Sequence, residues 1–338
     1  MSDRYLLSQN FLHAAGWGKA ARHYLAGDAS DRKYDRLCRG DDIAVLMDAP
    51  PGKGDDPVTF VSVAAHLNRL GLSAPKIFAQ DLVHGFLLME DLGDALFARE
   101  IAKTPSLEVP LYTAAADVLG HLHSEMPAAG LPDLSPSDWA HAAMYVLDWY
   151  RFAILGAPSP QSDFQPILTD LISTYADGPK VMILRDYHAE NLLWLPERHH
   201  LARVGLLDFQ LAQLGQPGYD LVSLLQDARR DVALKTEKAI CAHVIAATGT
   251  TAATFQTAYA VLGAQRALRI LGVFARLCLV AGKAQYLPLM PRVWGHLQRN
   301  LAYPALAPLA TICANLLPEP TPANLKLIGM QCGKYPTP

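Results

Sequence analysis

The rhythm of apolar positions along this chain changes near its first quarter and again near its middle. Residues 2–18 put Leu6, Leu7, Phe11 and Leu12 on one face, which predicts a helix. A hairpin pattern follows, with strand-like stretches at 22–25 and 34–38 around the small polar residues 26–33, and a turn over 39–42 leads to an apolar run at 43–47. A Pro/Gly/Asp loop over 48–57 leads into a helical stretch, 60–70, stopped by Gly71. Two more short runs, 77–80 and 86–89, flank the turn 81–85. Runs of this length bounded by turn residues predict strands. About five strands and two helices therefore precede Leu92. Beyond it helical spacing dominates, over 111–123, 137–155, 164–175, 221–231, 232–248, 254–262, 264–281, 292–301 and 305–316. The tail after Pro318 has little periodicity and is expected to wrap the surface.

One strand-rich interruption breaks the helical half, with short apolar runs at 181–184, 192–195 and 204–207. The pattern predicts an α+β protein of two lobes. Residues 1–92 form a small β-rich lobe with a hinge near 90–93, and residues 93–338 a larger, mostly helical lobe. A cleft between lobes is the expected place for a site.

The interruption carries the chemistry. Asp186 follows the first run, Asn191 stands five residues later, and Asp208 ends the third run. A carboxylate at a strand end is costly to hold without a partner such as a cation or a transferable proton. Phosphoryl transfer needs a carboxylate near the acceptor hydroxyl and hard oxygen ligands for Mg²⁺ on the phosphates. An Asp, an Asn five residues on and a later Asp at a strand end supply one base and two metal ligands, in the order D-x-x-x-x-N … D. The plainer alternative is that Asp186 and Asn191 cap turns and Asp208 pairs with an arginine.

Composition narrows the field. The chain has 338 residues, about half apolar, and a formal net charge of −3 without a basic block. A compact protein with no nucleic-acid footprint is expected. Its five cysteines, Cys38, Cys241, Cys278, Cys313 and Cys332, form no CxxC pair. Reduced thiols in a cytoplasm are the expectation, with neither a disulfide framework nor a thiolate zinc site. The stretch 301–317 is too broken by proline to span a bilayer, so no membrane role is expected. The adjacent His199 and His200 have no HExxH or cysteine cluster beside them and read as turn residues.

The segments 184–191 (LRDYHAEN), 207–209 (LDF) and 215–221 (GQPGYDL) together resemble the catalytic core of the aminoglycoside phosphotransferase family, which shares the protein-kinase fold. The resemblance is finer still to its anomeric sugar kinases of cell-wall recycling, which phosphorylate N-acetylmuramate and N-acetylglucosamine. That likeness is carried by LAGDASDRKY, VLMDAPP, LLMEDLG, LRDYHAENLL, LLDFQ and YDLVSLLQDARRDV. The resemblance implies a bilobal kinase-like fold, ATP and Mg²⁺ as cofactors, and a sugar or amino sugar as acceptor. It makes Asp186 the catalytic base and Asn191 and Asp208 the metal ligands. His188 and Asp220 would support the catalytic loop, Asp220 also as cap of the helix 221–231. Nucleotide contacts would come from Asp28, Ala29, Ser30 and Arg32 in the first hairpin loop, from Met47, and from Met89, Glu90 and Leu92 at the hinge. The backbone of 90–92 would meet the adenine. A monomer or weak dimer is expected.

Several features depart from the family pattern or stay open. The third strand has Met47 where the family carries a lysine, and the helix 60–70 has no partner glutamate. Arg32, Lys33 or Lys53 could take over the phosphates. Asp227, Arg229 and Arg230 could line the acceptor pocket, a cation facing an acidic sugar, or could form surface pairs at helical spacing. Arg266, Arg269 and Arg276 share a helix face and read as buried ion pairs or as pocket residues. Trp139, Tyr145 and Trp149 read as core. Eleven residues separate Asp208 from Asp220, too few for a protein kinase's activation loop, which favours a small-molecule acceptor. An antibiotic-modifying kinase and a nucleotide-binding pseudokinase or scaffold are the alternatives.

Overall fold

A computed structural model describes residues 3–27, 32–52, 56–157 and 163–335. The strands are β1 (Ala21–Gly27), β2 (Lys33–Arg39), β3 (Asp42–Asp48), β4 (Ile77–Asp81), β5 (Phe86–Glu90), β6 (Val181–Ile183), β7 (Leu192–Trp194), β8 (Val204–Leu206) and β9 (Gln213–Gly215). The α-helices of the first 131 residues are α1 (Asp3–Ala14), α2 (Pro57–Arg69), α3 (Phe97–Lys103) and α4 (Glu108–Ser124). Those that follow are α5 (Pro136–Ala143), α6 (Phe152–Leu155), α7 (Phe164–Tyr175), α8 (Tyr219–Leu225), α9 (Leu234–Thr248), α10 (Ala252–Leu279), α11 (Met290–Leu301), α12 (Ala307–Leu316) and α13 (Pro322–Gly329).

The chain divides into two compact units, one of residues 1–131 with 184–213, the other of 132–183 with 214–338. The hinge residues 90–93 lie inside the first of them. That unit is built on an antiparallel sheet in the order β1-β2-β3-β5-β4. The continuous apolar runs of β3 and β5 take its interior positions, as runs buried on both faces should. Leu37, Ala44, Leu46, Phe86 and Leu88 pack with Phe11, Leu12 and Trp17 of the α1 region into one core. Val45, Met47, Leu87 and Met89 alternate with them and point to the opposite face, also buried. Edge strand β4 instead alternates half-buried and exposed residues. Asp56 starts α2 by accepting from the Val58 amide at 2.9 Å, with Pro57 at the first helical position.

The second unit is helical. Its core runs from Trp139 and Tyr150 through Leu168 and Leu268 to Leu297 and Ile328. Helix α10 forms its axis, 28 residues capped by Thr251. Four expectations are corrected here. Gly263 does not separate two helices: it lies within α10, where a β-carbon would come 2.5 Å from the Asn300 side chain. Its lack of a side chain permits close packing. The stretch 137–155 is interrupted at Met144 and continues as a π-helical turn, Val146–Arg151, before α6. The helix expected over 221–231 is α8, which ends at Leu225. The tail contains α13, capped by Thr321 and anchored by the fully buried Ile328. No helix among the described residues is long and apolar enough to cross a membrane. All five cysteines are free thiols.

Candidate active site

The segment 184–213 belongs to the first unit and owes its shape to one short hairpin. β7 and β8 pair antiparallel, Leu192 opposite Leu206 and Trp194 opposite Val204. Their pairing brings Asn191 and Leu207 side by side, and the Leu207 amide donates to the Asn191 carbonyl at 3.0 Å. Asp208 is the next residue, so a three-residue ladder suffices to bring Asn191 to Asp208.

Asn191 ties the three polar residues together. Its Nδ2 donates to the Asp186 carbonyl oxygen at 2.9 Å and lies 3.5 Å from Asp208 Oδ2. Its amide donates to the carbonyl of His188 at 2.8 Å. The buried His188 ring sits 3.4 Å from Asn191 Nδ2, which suits its expected supporting role. The loop is fastened from outside as well. The Ala98 amide of α3 donates to the Ala189 carbonyl at 3.0 Å, and the Tyr187 hydroxyl to the Ala115 carbonyl of α4 at 2.9 Å.

Three non-glycine residues of the segment have positive φ, His200 in the turn between β7 and β8 and two beside the polar group. Arg185 has φ 70° and Asp208 has φ 57°, in the left-handed region. Side chains other than glycine adopt it at a cost of roughly 1–2 kcal/mol. At Arg185 it goes with a tight turn, the Asp186 amide bonding to the Leu184 carbonyl at 2.9 Å. At Asp208 it ends the pleat of the strand. Phe209, next in sequence, stacks on Phe60 of α2 with ring centroids 4.7 Å apart, which clamps the far side of the bend.

The Asp208 carboxylate is heavily engaged. Oδ1 accepts from Arg32 Nη2 at 3.0 Å and from Gln210 Nε2 at 2.8 Å. The Arg32 side chain is only 4% exposed, that of Asp208 27%. The plainer reading of the sequence, a turn-capping asparagine and an arginine-paired aspartate, is therefore visible in the same residues. It coexists with a donor set suited to a hard cation. Asn191 Nδ2 is committed to Asp186, which leaves its amide oxygen, with the Asp208 carboxylate, as adjacent oxygen ligands of the kind Mg²⁺ takes. Among the described residues no group of three or more His, Cys, Asp or Glu side chains forms a metal site. A cation here would draw its remaining ligands from other oxygens.

The other expected nucleotide residues fall in three places. Asp28, Ala29 and Ser30 lie outside the described residues, as does Lys53. Met47 and Met89 are buried in the sheet, Met47 opposite Tyr34 and Leu87, Met89 opposite Val45 and Ile77. Glu90 and Leu92 are at the end of β5 and just past it. The Glu90 amide already donates to the Lys76 carbonyl at 2.8 Å, so that group is not free for a base. The Glu90 carboxylate pairs with Arg198 at 2.6 Å. Arg36 of β2 reaches both Asp91 and Asp94, at 2.5 and 2.9 Å, and those carboxylates push its guanidinium pKa still higher. The hinge segment is thus pinned by side chains on two sides.

Most of the remaining candidates belong to the second unit. Asp220 is fully buried in the first turn of α8, whose N-cap is Gly218 and not Asp220. Asp227, Arg229 and Arg230 follow the helix in a loop, so they are not pairs at helical spacing. Asp227 is buried and accepts from the Arg229 amide at 2.7 Å through Oδ1, and burial raises its pKa. Arg266 is also buried. Its bonds are to the Ser223 hydroxyl at 2.8 Å and the Gln226 carbonyl at 3.5 Å, where the sequence suggested an ion pair. Arg276 lies over the Trp149 ring, and Trp139 is core. His199 precedes, and His200 opens, a 3₁₀ turn between β7 and β8.

Sequence reasoning missed Gln210, Arg36 and Arg198. Gln210 could have been found: it is two residues from Asp208 within LLDFQ. The arginines carry no local signal, because their partners lie 55 and 108 residues away.

The sequence pattern of the phosphotransferase enzyme family matches residues 23–271, and the chain belongs to that family. It is similar to an N-acetylmuramate/N-acetylglucosamine kinase of Caulobacter vibrioides, 38% identical over 91% of this chain and 95% of the relative. A protein of the same name from Pseudomonas aeruginosa is 33% identical over 90% of this chain and 91% of its own. Among solved structures, a choline/ethanolamine kinase family protein from Mesorhizobium loti matches 97% of this chain and 99% of its own, with TM-score 0.60 and 14% identity. A microcompartment-associated aminopropanol kinase matches 88% and 97%, with TM-score 0.62 and 14% identity. These two likenesses establish the kinase-like fold.

Proposed function

We propose that the protein is an ATP-dependent kinase of N-acetylmuramate, N-acetylglucosamine or a closely similar amino sugar. The observation that carries the reaction class is the joining of Asp186, Asn191 and Asp208 by a single asparagine side chain. The names of the relatives that match nine-tenths of the chain support the acceptor class.

In this reading the acceptor hydroxyl hydrogen-bonds the Asp186 carboxylate, which orients it and takes its proton as the oxygen attacks phosphorus. Asn191 and Asp208 would hold Mg²⁺, which neutralises charge on the phosphates when bound. Asn191 also fixes the loop that carries Asp186, so one side chain couples the base to the metal ligands. Arg32 sets a cation against this group through its bond to Asp208. The hinge contributes to adenine binding through groups other than the Glu90 amide. Asp227, Arg229 and Arg230 are assigned to the acceptor, Asp227 through its buried carboxylate and the arginines through attraction to an acidic sugar. The enzyme is assigned to the cytoplasm, as a monomer or weak dimer.

The test is an ATP-consumption assay over a panel holding both amino sugars, simple hexoses, choline and kanamycin. Turnover on the two amino sugars well above the rest is expected. Binding of ATP with turnover on no acceptor would instead identify a nucleotide-binding scaffold.

A further inference from the structure

We propose that Arg32 holds the cation position at Asp208 and makes binding of the divalent metal conditional on the nucleotide. The inference rests on the reading of Asn191 and Asp208 as metal ligands and goes beyond it.

The guanidinium is 4% exposed and 3.0 Å from Asp208 Oδ1, so it is a buried charge whose partner is a metal ligand. It precedes β2, whose register sets Lys33 opposite Asp48 and Tyr34 opposite Met47. Near this end strand β3 carries Asp48 and the buried Met47, neither of them a cation, and Lys33 is exposed. Arg32 therefore brings a buried positive charge to a place where the neighbouring strand supplies none. Gln210 adds a second donor to the same oxygen, and Asn191 stands beside the other.

A divalent ion arriving alone would have to share Asp208 with a fixed cation a few ångströms away, and like charges that close oppose each other strongly. A nucleoside triphosphate changes the balance. Its phosphates bring enough negative charge to satisfy both cations, and a guanidinium is well shaped for phosphate oxygens. Arg32 would then turn from Asp208 to the phosphates, and the metal would take the carboxylate it leaves. Without nucleotide, the carboxylate is neutralised by a side chain and needs no ion. Arg32 is a positioning residue in this scheme, acting on the metal through their shared ligand.

The test uses the full chain and Mn²⁺ as the probe, followed by electron paramagnetic resonance, with and without a non-hydrolysable ATP analogue. Wild type should bind Mn²⁺ weakly alone and much more tightly with the analogue. Arg32→Gln should bind Mn²⁺ alone about tenfold more tightly and the analogue about tenfold more weakly, the scale of one charge-assisted hydrogen bond. Arg32→Lys keeps the charge but not the fork, so its metal binding should stay nucleotide-dependent while analogue affinity falls. Equal Mn²⁺ affinity without analogue in wild type and a folded Arg32→Gln would overturn the proposal. If Arg32→Gln does not fold, wild-type analogue affinity in Arg32→Lys would do so. Failure of wild type to bind Mn²⁺ with the analogue would remove the reading of the site itself, and this proposal with it.

Discussion

The two units of this protein build their main polar clusters in different ways. In the first, Asp186, His188, Asn191, Asp208 and Gln210 come from one stretch of the chain and are joined by bonds across a three-residue hairpin. In the second, Gln226 and Asn300 exchange two amide hydrogen bonds, at 3.1 and 2.8 Å, across 74 residues. Glu237 accepts from the Tyr259 hydroxyl at 2.9 Å and from Arg299 at 2.8 Å. Local polar groups strain the backbone and leave a carboxylate partly exposed, as Arg185, Asp208 and the 27% exposure of Asp208 show. Distant ones satisfy each other and lock helices together. The first arrangement is suited to chemistry and the second to rigidity.

If that contrast is right, mutations in the first unit change activity more than stability, and those in the second do the reverse. The largest expected effect is at Asp208. Asp208→Asn should lose turnover by about 10²-fold or more, because the anion opposite the metal is removed, with little change in melting temperature, because the amide oxygen still accepts from Arg32 and Gln210. Steady-state rates and a thermal melt on the same sample check both halves. Next comes Gly272→Ala in α10, where a β-carbon would lie 2.2 Å from the Tyr145 carbonyl carbon. Overpacking of this kind costs about 1–3 kcal/mol or more. The denaturant midpoint should fall while activity per folded molecule stays near wild type.

A smaller loss is expected for Asn300→Leu, which leaves the buried Gln226 amide without its partner, at roughly 1–3 kcal/mol. Urea unfolding measures it, and Gln226→Leu with Asn300→Leu together should cost less than the sum of the two single changes. Stability should also depend on pH. Burial lowers the pKa of His123 in the first unit to about 4, and burial with Arg299 nearby lowers that of His296 in the second to about 4. The unfolded chain binds these protons below about pH 6.5, the folded chain only below about pH 4. Stability should therefore decline as pH falls from about 6.5 towards 4. Chemical denaturation at pH 7.5 and 5 should show the decline, and His123→Gln should flatten it in part.

The same contrast explains what was legible in the sequence. All five strands of the first sheet were readable, because β3 and β5 are continuous apolar runs between polar turns. The grouping of Asp186, Asn191 and Asp208 was readable because its members lie within 23 positions of one another. The second unit was harder. Gly263 looks like a stop, but its meaning depends on Asn300, 37 positions away. The end of α8 at Leu225 was missed because the pattern of 221–231 stays helical, while Gln226 turns out of the helix at ψ 51° and bonds to Asn300. Strand β9 and helix α3 were too short to show a period. The pinning of the hinge by Arg36 and Arg198 was invisible for a related reason: an arginine's reach is set by the fold.

The central claim is that Asp186 is the group that positions and deprotonates the acceptor. It is tested most directly by ³¹P NMR of wild type and Asp186→Asn, each incubated with ATP, Mg²⁺ and N-acetylmuramate or N-acetylglucosamine, with nucleotide affinity measured alongside. The account predicts a sugar phosphate from wild type, and from Asp186→Asn an unchanged nucleotide affinity with product formation slower by about 10²–10⁴-fold. Near-wild-type product formation by Asp186→Asn would contradict it.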